Sequence, residues 1–368
     1  MKKIKVYLQY PWKFADSTYY KNIVQYPPKG IEFRGKVVSG KAQIISSSKK
    51  FESIRRTKNL LRRILSLIKM PNITYTIDKD CDIIHCAHCL SINRKPWVVD
   101  TEVYDRLAAG YGVADSWIGK RIIRNRLESK YCKKIICWSE DCKKTFEEAF
   151  PRNKKILSKI EIVPFAMPLP SYKKILHKTI NLLFVARWFH AKGGITTLEV
   201  FDRLTKKFPN VRATFVCPTP IEYKIKYSKN KKIKILDLIS QELLFKEIYP
   251  SSDILFYPGY GDSYGFAIPE AMAFGLPVVT VDSFARRELV KDGKTGFIVK
   301  RPKDLTYENC LQKELLDNLV EKTSLLIENK KIIEKFGKEG RKEVSKGLFS
   351  IEKRNKKLRE IYINSLKI

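Results

Sequence analysis

Residues 253–281, DILFYPGYGDSYGFAIPEAMAFGLPVVTV, decide the fold. The apolar run Ile254–Tyr257 is closed by Pro258 and Gly259, the pattern of a buried strand entering a turn. A glycine-rich loop spans 259–265. A helix is expected from near Phe266, with Pro269 and Glu270 in its first turn, where proline is tolerated and acids are favoured. Gly275 and Pro277 stop it, and Val278–Val281 reads as the next strand. Strand, loop, helix and strand in that order form one unit of a parallel α/β sheet. Glycines at a helix start expose free backbone N–H groups, an anion site. Asp262 and Glu270 flank that junction, and ionised carboxylates only accept hydrogen bonds, which suits them to hydroxyl groups. Phosphate on amides and hydroxyls on two acids describe a bound nucleotide sugar.

A second stretch, NLLFVARWFHAKGG at 181–194, carries the missing cations. A strand over 182–186 runs into a loop holding Arg187 and Lys192, and a helix is expected from near Gly193. A guanidinium fork and an ammonium at a helix start are suited to a pyrophosphate leaving group.

The 253–281 stretch resembles the donor-site signature of the family-4 retaining glycosyltransferases. Gly265, Glu270, Ala271, Met272, Ala273, Gly275, Pro277, Val278 and Val279 match it, with Asp262 in place of its first Glu. The 181–194 stretch resembles the family's Gly-Arg-Leu…Lys-Gly element, with Ala186 for the glycine. Glu288, Leu289 and Val290, then DGKTGFIV at 292–299, match its tail. The resemblance implies a GT-B fold: two Rossmann-like α/β domains facing a cleft, with a C-terminal helix crossing back to the first. The acceptor domain would span 1–170 plus the crossover helix at 350–368, and the donor domain 176–349, with the linker at 165–178. It also implies a hexosyltransferase-like enzyme that moves a sugar from a nucleoside-diphosphate sugar to an acceptor hydroxyl on a glycan, glycolipid or lipid-linked acceptor. Transfer would retain anomeric configuration and need no metal and no cofactor beyond the donor substrate. Donor contacts would fall to Arg187, Lys192, Gly193, Gly265, Phe266 and Glu270. Of these, Arg187 and Lys192 would hold the diphosphate and Glu270 the ribose. Asp262 would meet the sugar hydroxyls.

The first half is less explicit. A strand is expected near residues 4–8, followed by a loop to Gly30. There Trp12, Lys13, Asp16 and Tyr19 are acceptor-facing candidates, with ordinary packing the alternative. The stretch KPWVVDTE at 95–102 reads as a strand ending in acids, where family members commonly place a His-Asp pair. Asp100 and Glu102 there would bind or orient the acceptor, or act as a base. Alternatively, Asp100 or Thr101 caps a helix over 103–109. The catalytic candidates are thus Asp262, Glu270, Arg187, Lys192, Asp100 and Glu102.

The chain has 368 residues and a formal net charge of +33, which favours phosphate-bearing partners without choosing among them. The amphipathic basic segment 49–70, with Leu60, Leu61, Ile64, Leu65 and Ile68 at helical spacing, fits either an anionic membrane surface or a helix packed on its own sheet. No apolar run reaches membrane-spanning length and no signal core opens the chain, so a cytoplasmic protein is expected, either free or associated with a membrane surface. The cluster CDIIHCAHCL at 81–90 offers one close C-x-x-C pair where zinc signatures use two, so no metal site is expected and the eight cysteines read as free thiols. Two alternatives stand beside transfer: a GT-B-fold epimerase of nucleotide sugars, for which no base is evident, and a nucleic-acid-binding protein, for which charge speaks but no recognition motif does.

Overall fold

The computed structural model describes residues 3–10, 18–35, 59–60, 63–78, 80–108, 110 and 112–367. The chain divides into two compact units: one runs through Ala166 and takes in the chain again from Ile351, and the other is Met167–Ser350.

The first unit contains β1 (Ile4–Gln9), β2 (Ile31–Arg34), β3 (Ile73–Thr74), β4 (Ile83–Ala87), β5 (Leu90–Ser91), β6 (Trp97–Thr101), β7 (Cys132–Cys137) and β8 (Ile160–Ile162). Six of them form a parallel sheet in the order β2-β1-β4-β6-β7-β8, and β3 pairs with β5 alone. Every residue of β4 and β6 is buried, as expected of central parallel strands covered by helices on both faces. Ser139 caps the helix Glu140–Ala149, its hydroxyl accepting from Cys142 N at 3.0 Å, and the acids Glu140 and Asp141 occupy the first turn.

The second unit contains β9 (Ile180–Val185), β10 (Val211–Val216), β11 (Ile233–Leu236), β12 (Ile254–Tyr257), β13 (Val278–Val281) and β14 (Gly296–Val299), ordered β11-β10-β9-β12-β13-β14 and all parallel. Strand order reverses between β9 and β12, which pair directly through Ile254 opposite Leu182. In open parallel sheets such a reversal leaves a crevice beyond the carboxyl ends of the strands, where ligands bind.

Several elements depart from the sequence reading. The stretch expected as a loop before Gly30 holds the helix Thr18–Gln25, because Tyr19, Tyr20 and Ile23 are fully buried on one face and that burial outweighs weak propensity. Tyr19 stacks on Trp138 with ring centroids 4.3 Å apart, so of its two readings packing is the observed one; Trp12, Lys13 and Asp16 lie outside the described residues. Neither Asp100 nor Thr101 caps a helix: Asp100 belongs to β6, Thr101 donates its hydroxyl to Val103 O, and the short 3-10 turn Tyr104–Leu107 has no side-chain cap. Beyond β14 the second unit ends in two helices, Lys313–Glu328 and Lys330–Ser345, parted at Asn329, whose carboxamide caps the second. Segment 49–70 falls largely outside the described residues; within it Leu60, Ile64 and Ile68 are exposed. Among the described residues no helix is long and apolar enough to cross a membrane, and no three His, Cys, Asp or Glu side chains gather as a metal-binding group. The eight cysteines are buried free thiols.

Candidate functional site

Two loops leave the carboxyl ends of the paired strands β9 and β12. The first, 186–193, carries Arg187 and Lys192 and enters the helix Gly194–Lys207. The second, 258–266, carries Asp262 and enters the short helix Ala267–Ala273, which holds Glu270 in its first turn. Backbone hydrogen bonds zip the loops together: Gly259 N donates to Lys192 O at 3.1 Å and Gly261 N to Ala191 O at 2.9 Å. Gly193 makes the approach possible. It sits at φ +80, and a Cβ there would lie 2.8 Å from Pro258 Cβ.

The side chains continue that contact. Lys192 Nζ pairs with Asp262 Oδ1, and both groups are mostly buried. On the other oxygen, Oδ2, Tyr257 donates its hydroxyl at 2.7 Å and Arg286 approaches at 3.3 Å. Burial alone would raise the Asp262 carboxyl, but the charges of Lys192 and Arg286, with the hydrogen bonds to Lys192 and Tyr257, outweigh it and hold the group at about 2. Asp262 is therefore an anion at any ordinary pH. Glu270 is also buried, and Tyr249 donates to its Oε2 at 2.8 Å. Burial, and then the carboxylate of Glu270, push the Tyr249 hydroxyl well above its usual range, so it remains a donor. Tyr249 closes a helical stretch whose last turn widens: its N–H donates to Leu244 O, five residues back, at 2.9 Å.

Of the residues singled out from the sequence, the second unit thus brings Lys192 and Asp262 into contact. It places Gly193 at their junction and sets Gly265, Phe266 and Glu270 along the second loop and its helix. Arg187 stands half-buried at the start of the first loop. Arg286 was not singled out. It is fully buried on the short helix Arg286–Leu289 and donates to the carbonyls of Tyr264 at 2.6 Å, Gly259 at 3.0 Å and Asp262 at 3.0 Å. Its only signal in the sequence is a pair of arginines, Arg286 and Arg287, after a strand; Arg287 instead makes an exposed pair with Asp282.

In the first unit Asp100 lies at the carboxyl end of β6 and is fully buried. Tyr20 donates to Oδ1 at 2.6 Å, Trp138 Nε1 to Oδ2 at 3.4 Å, and His85 Nε2 lies 3.3 Å from Oδ2. A carboxylate so enclosed organises its neighbours instead of facing solvent. Glu102 makes a surface pair with Arg106 at 2.7 Å. Beside them His88, which follows β4, holds φ +52, and its Nδ1 lies 3.1 Å from Thr101 Oγ1. Thr101 has already spent its hydroxyl proton on Val103 O at 2.7 Å, so Nδ1 is the donor and Nε2 keeps its lone pair. Burial lowers the His88 pKa, which keeps the ring neutral.

Comparison with known proteins agrees with this architecture. Residues 172–343 match the model for glycosyl transferases group 1. An uncharacterised glycosyltransferase of Haemophilus influenzae is 29% identical over 198 residues, which cover 50% of this chain and 53% of that protein. The chain spans about half the length of the curated relatives it matches. Among solved structures, a glycosyltransferase from Rickettsia africae superposes with a TM-score of 0.67 at 16% identity, covering 100% of this chain and 99% of its own. HepE from Anabaena, solved in complex with UDP and glucose, superposes with a TM-score of 0.66 at 12% identity, covering 98% and 100%. At such identities the likeness is one of fold, and that fold is GT-B. The two loops meet where the second sheet reverses its strand order, inside the stretch 172–343 that is similar to the glycosyl transferases group 1.

Proposed function

We propose that the chain transfers a sugar from a nucleoside-diphosphate sugar to an acceptor hydroxyl on a glycan, glycolipid or lipid-linked acceptor, retaining anomeric configuration and using no metal. The observation that carries this reading is the pairing of Lys192 with Asp262 across the β9 and β12 loops, at the point where the second sheet reverses its strand order. Arg187 and Lys192 neutralise the departing diphosphate, aided by the start of the helix Gly194–Lys207 and by backbone amides at Gly265 and Phe266. Glu270 accepts from the ribose hydroxyls. A carboxylate offers about four lone-pair sites, and Asp262 spends those of Oδ2 on Tyr257 and Arg286 and one of Oδ1 on Lys192. The remaining site on Oδ1 takes a hydroxyl of the transferred sugar. As the bond from the anomeric carbon to the diphosphate oxygen breaks, the acceptor oxygen bonds to that carbon on the same face. The leaving phosphate oxygen takes the acceptor's proton.

The test is to incubate the protein with a panel of nucleoside-diphosphate sugars, with and without acceptor alcohols, and to follow nucleotide release. Release is expected to depend on the acceptor, to persist in chelator and to collapse in Lys192→Ala. A nucleotide that neither stabilises the protein against heat nor is released from any donor would remove the proposal.

A further inference from the structure

The first unit carries a second concavity that shares no residue with the donor loops or with the Asp100 cluster. The helix Trp117–Glu128 and the segment 149–155 line an open groove of about 910 Å3, within the roughly 300–1,000 Å3 range of small-ligand sites. Among its described lining residues six are cations, Lys120, Arg121, Arg124, Arg152, Lys154 and Lys155, and one is an acid, Glu128. Glu128 is already engaged: Arg124 Nε and Asn153 Nδ2 each donate to its Oε1 at 2.8 Å. Of the other five cations, Lys155 also acts on Glu128, and the one acid is left to offset all six. Lys120 lies over the Phe150 ring at 5.8 Å and Arg121 over the Trp117 ring at 5.4 Å, while Arg152, Lys154 and Lys155 are exposed.

Trp117 is 72% exposed at the rim. The Arg121 guanidinium over the ring returns only about 0.5–1 kcal/mol at an exposed site, against the burial the indole forgoes and the repulsion among the neighbouring cations. Both costs are relieved by one kind of ligand, an anion that also presents a flat apolar face. A pyranose ring has such a face in its axial C–H bonds, and it stacks on aromatic rings. The lining argues against the other polyanions. A helix that lies on a bilayer buries an apolar face among its cations, and this groove exposes one large apolar side chain, Trp117. Single-stranded nucleic acid uses several aromatic platforms for successive bases, and this groove exposes one.

We infer that this groove binds an anionic saccharide chain, with its phosphate, sulfate or carboxylate groups on Arg152, Lys154 and Lys155 and one sugar ring on Trp117. The site is a holding site for chain and takes no part in transfer, so it can be tested by binding alone, and its failure would leave the donor-site proposal untouched.

The experiment titrates the whole protein, at physiological ionic strength, with a heparin-derived hexasaccharide, neutral maltohexaose, phosphatidylglycerol vesicles and an oligothymidine. Binding of the hexasaccharide is expected to perturb tryptophan emission. It should weaken about tenfold in Lys154→Ala/Lys155→Ala and about tenfold in Trp117→Ala, and recover in Trp117→Phe. A charge-matched pair that does not line the groove, Lys330→Ala/Lys331→Ala, should weaken it by less than about twofold. Maltohexaose should not bind. The inference is overturned if the control pair costs as much as the groove pair. It is equally overturned if the hexasaccharide does not bind, or if vesicles or oligothymidine bind more tightly with the same dependence on Trp117. Every variant changes only exposed side chains, and matching thermal unfolding curves establish that each is folded.

Discussion

Arg286 lies outside the 253–281 stretch, yet its guanidinium spans three carbonyls and one carboxylate oxygen of that loop. Lysine has no planar fork and cannot reproduce this, so Arg286→Lys is expected to destabilise nearly as much as Arg286→Ala. Removing the charge leaves Asp262 buried with one cation fewer, a change on the order of 3–5 kcal/mol that a denaturant midpoint will register. Asp262 itself makes stability depend on pH. Its carboxyl is depressed in the fold from 3.8 to about 2. The stabilisation is therefore fully present above the unfolded value and is lost as pH falls through the folded one. A shift of this size corresponds to about 2 kcal/mol. The stability gap between the native chain and Asp262→Asn should close across that acidic window, as measured by unfolding at stepped pH. Lys192→Ala should lower turnover by roughly 10²–10³-fold, the usual cost of one preorganised charge-stabilising group. Nucleotide affinity should fall with it, because the ammonium meets the diphosphate in both the bound and the reacting state.

At the scale of elements, the loop before the helix Ala267–Ala273 depends on Gly265, which stands at φ +90 with the space for a Cβ already taken by Arg286 Nη1 at 2.9 Å and Asp262 Oδ2 at 3.2 Å. Gly265→Ala is expected to cost about 1–3 kcal/mol and to disturb the very atoms that set the Asp262 charge, so both the unfolding midpoint and donor affinity should fall. The helix Lys330–Ser345 packs on Ala267–Ala273 through two further glycines: a Cβ on Gly337 would meet Gly275 O at 2.1 Å, and one on Gly340 would meet Met272 Cγ at 3.2 Å. These contacts explain why the elements of the second unit were legible in the sequence while their support was not. Strand, glycine loop and capped helix are local patterns, and Lys192, Asp262 and Glu270 stand at local landmarks. Arg286 and Tyr249 reach the site from outside the 253–281 stretch, and Tyr257, although it ends β12, carries no local mark of its bond to Asp262. The helix Thr18–Gln25 was illegible for a related reason: its stability comes from burying two tyrosines and an isoleucine against partners far along the chain.

For the molecule as a whole, the last helix, Ile351–Leu366, completes the first unit. Tyr362 is fully buried with its hydroxyl 2.7 Å from His85 Nδ1, and Arg354 donates to Tyr26 O at 2.6 Å. Tyr362→Phe should cost about 1 kcal/mol by stranding His85, whereas deleting 351–368 should unfold the first unit by exposing its core. Calorimetry of the two proteins would separate these outcomes. The sequence by itself determined the α/β class and the strand–loop–helix units and singled out Lys192 and Asp262 as separate candidates, because periodicity, turn residues and charge at a helix start act within a few residues of one another. Only the tertiary structure decided that Asp262 is locked between Lys192 and Arg286 and that Asp100 is enclosed. It alone set His88 Nδ1 beside Thr101 and opened a basic groove beside Trp117. Burial and long-range electrostatics set each of these, and both depend on which distant side chains the completed sheets bring together.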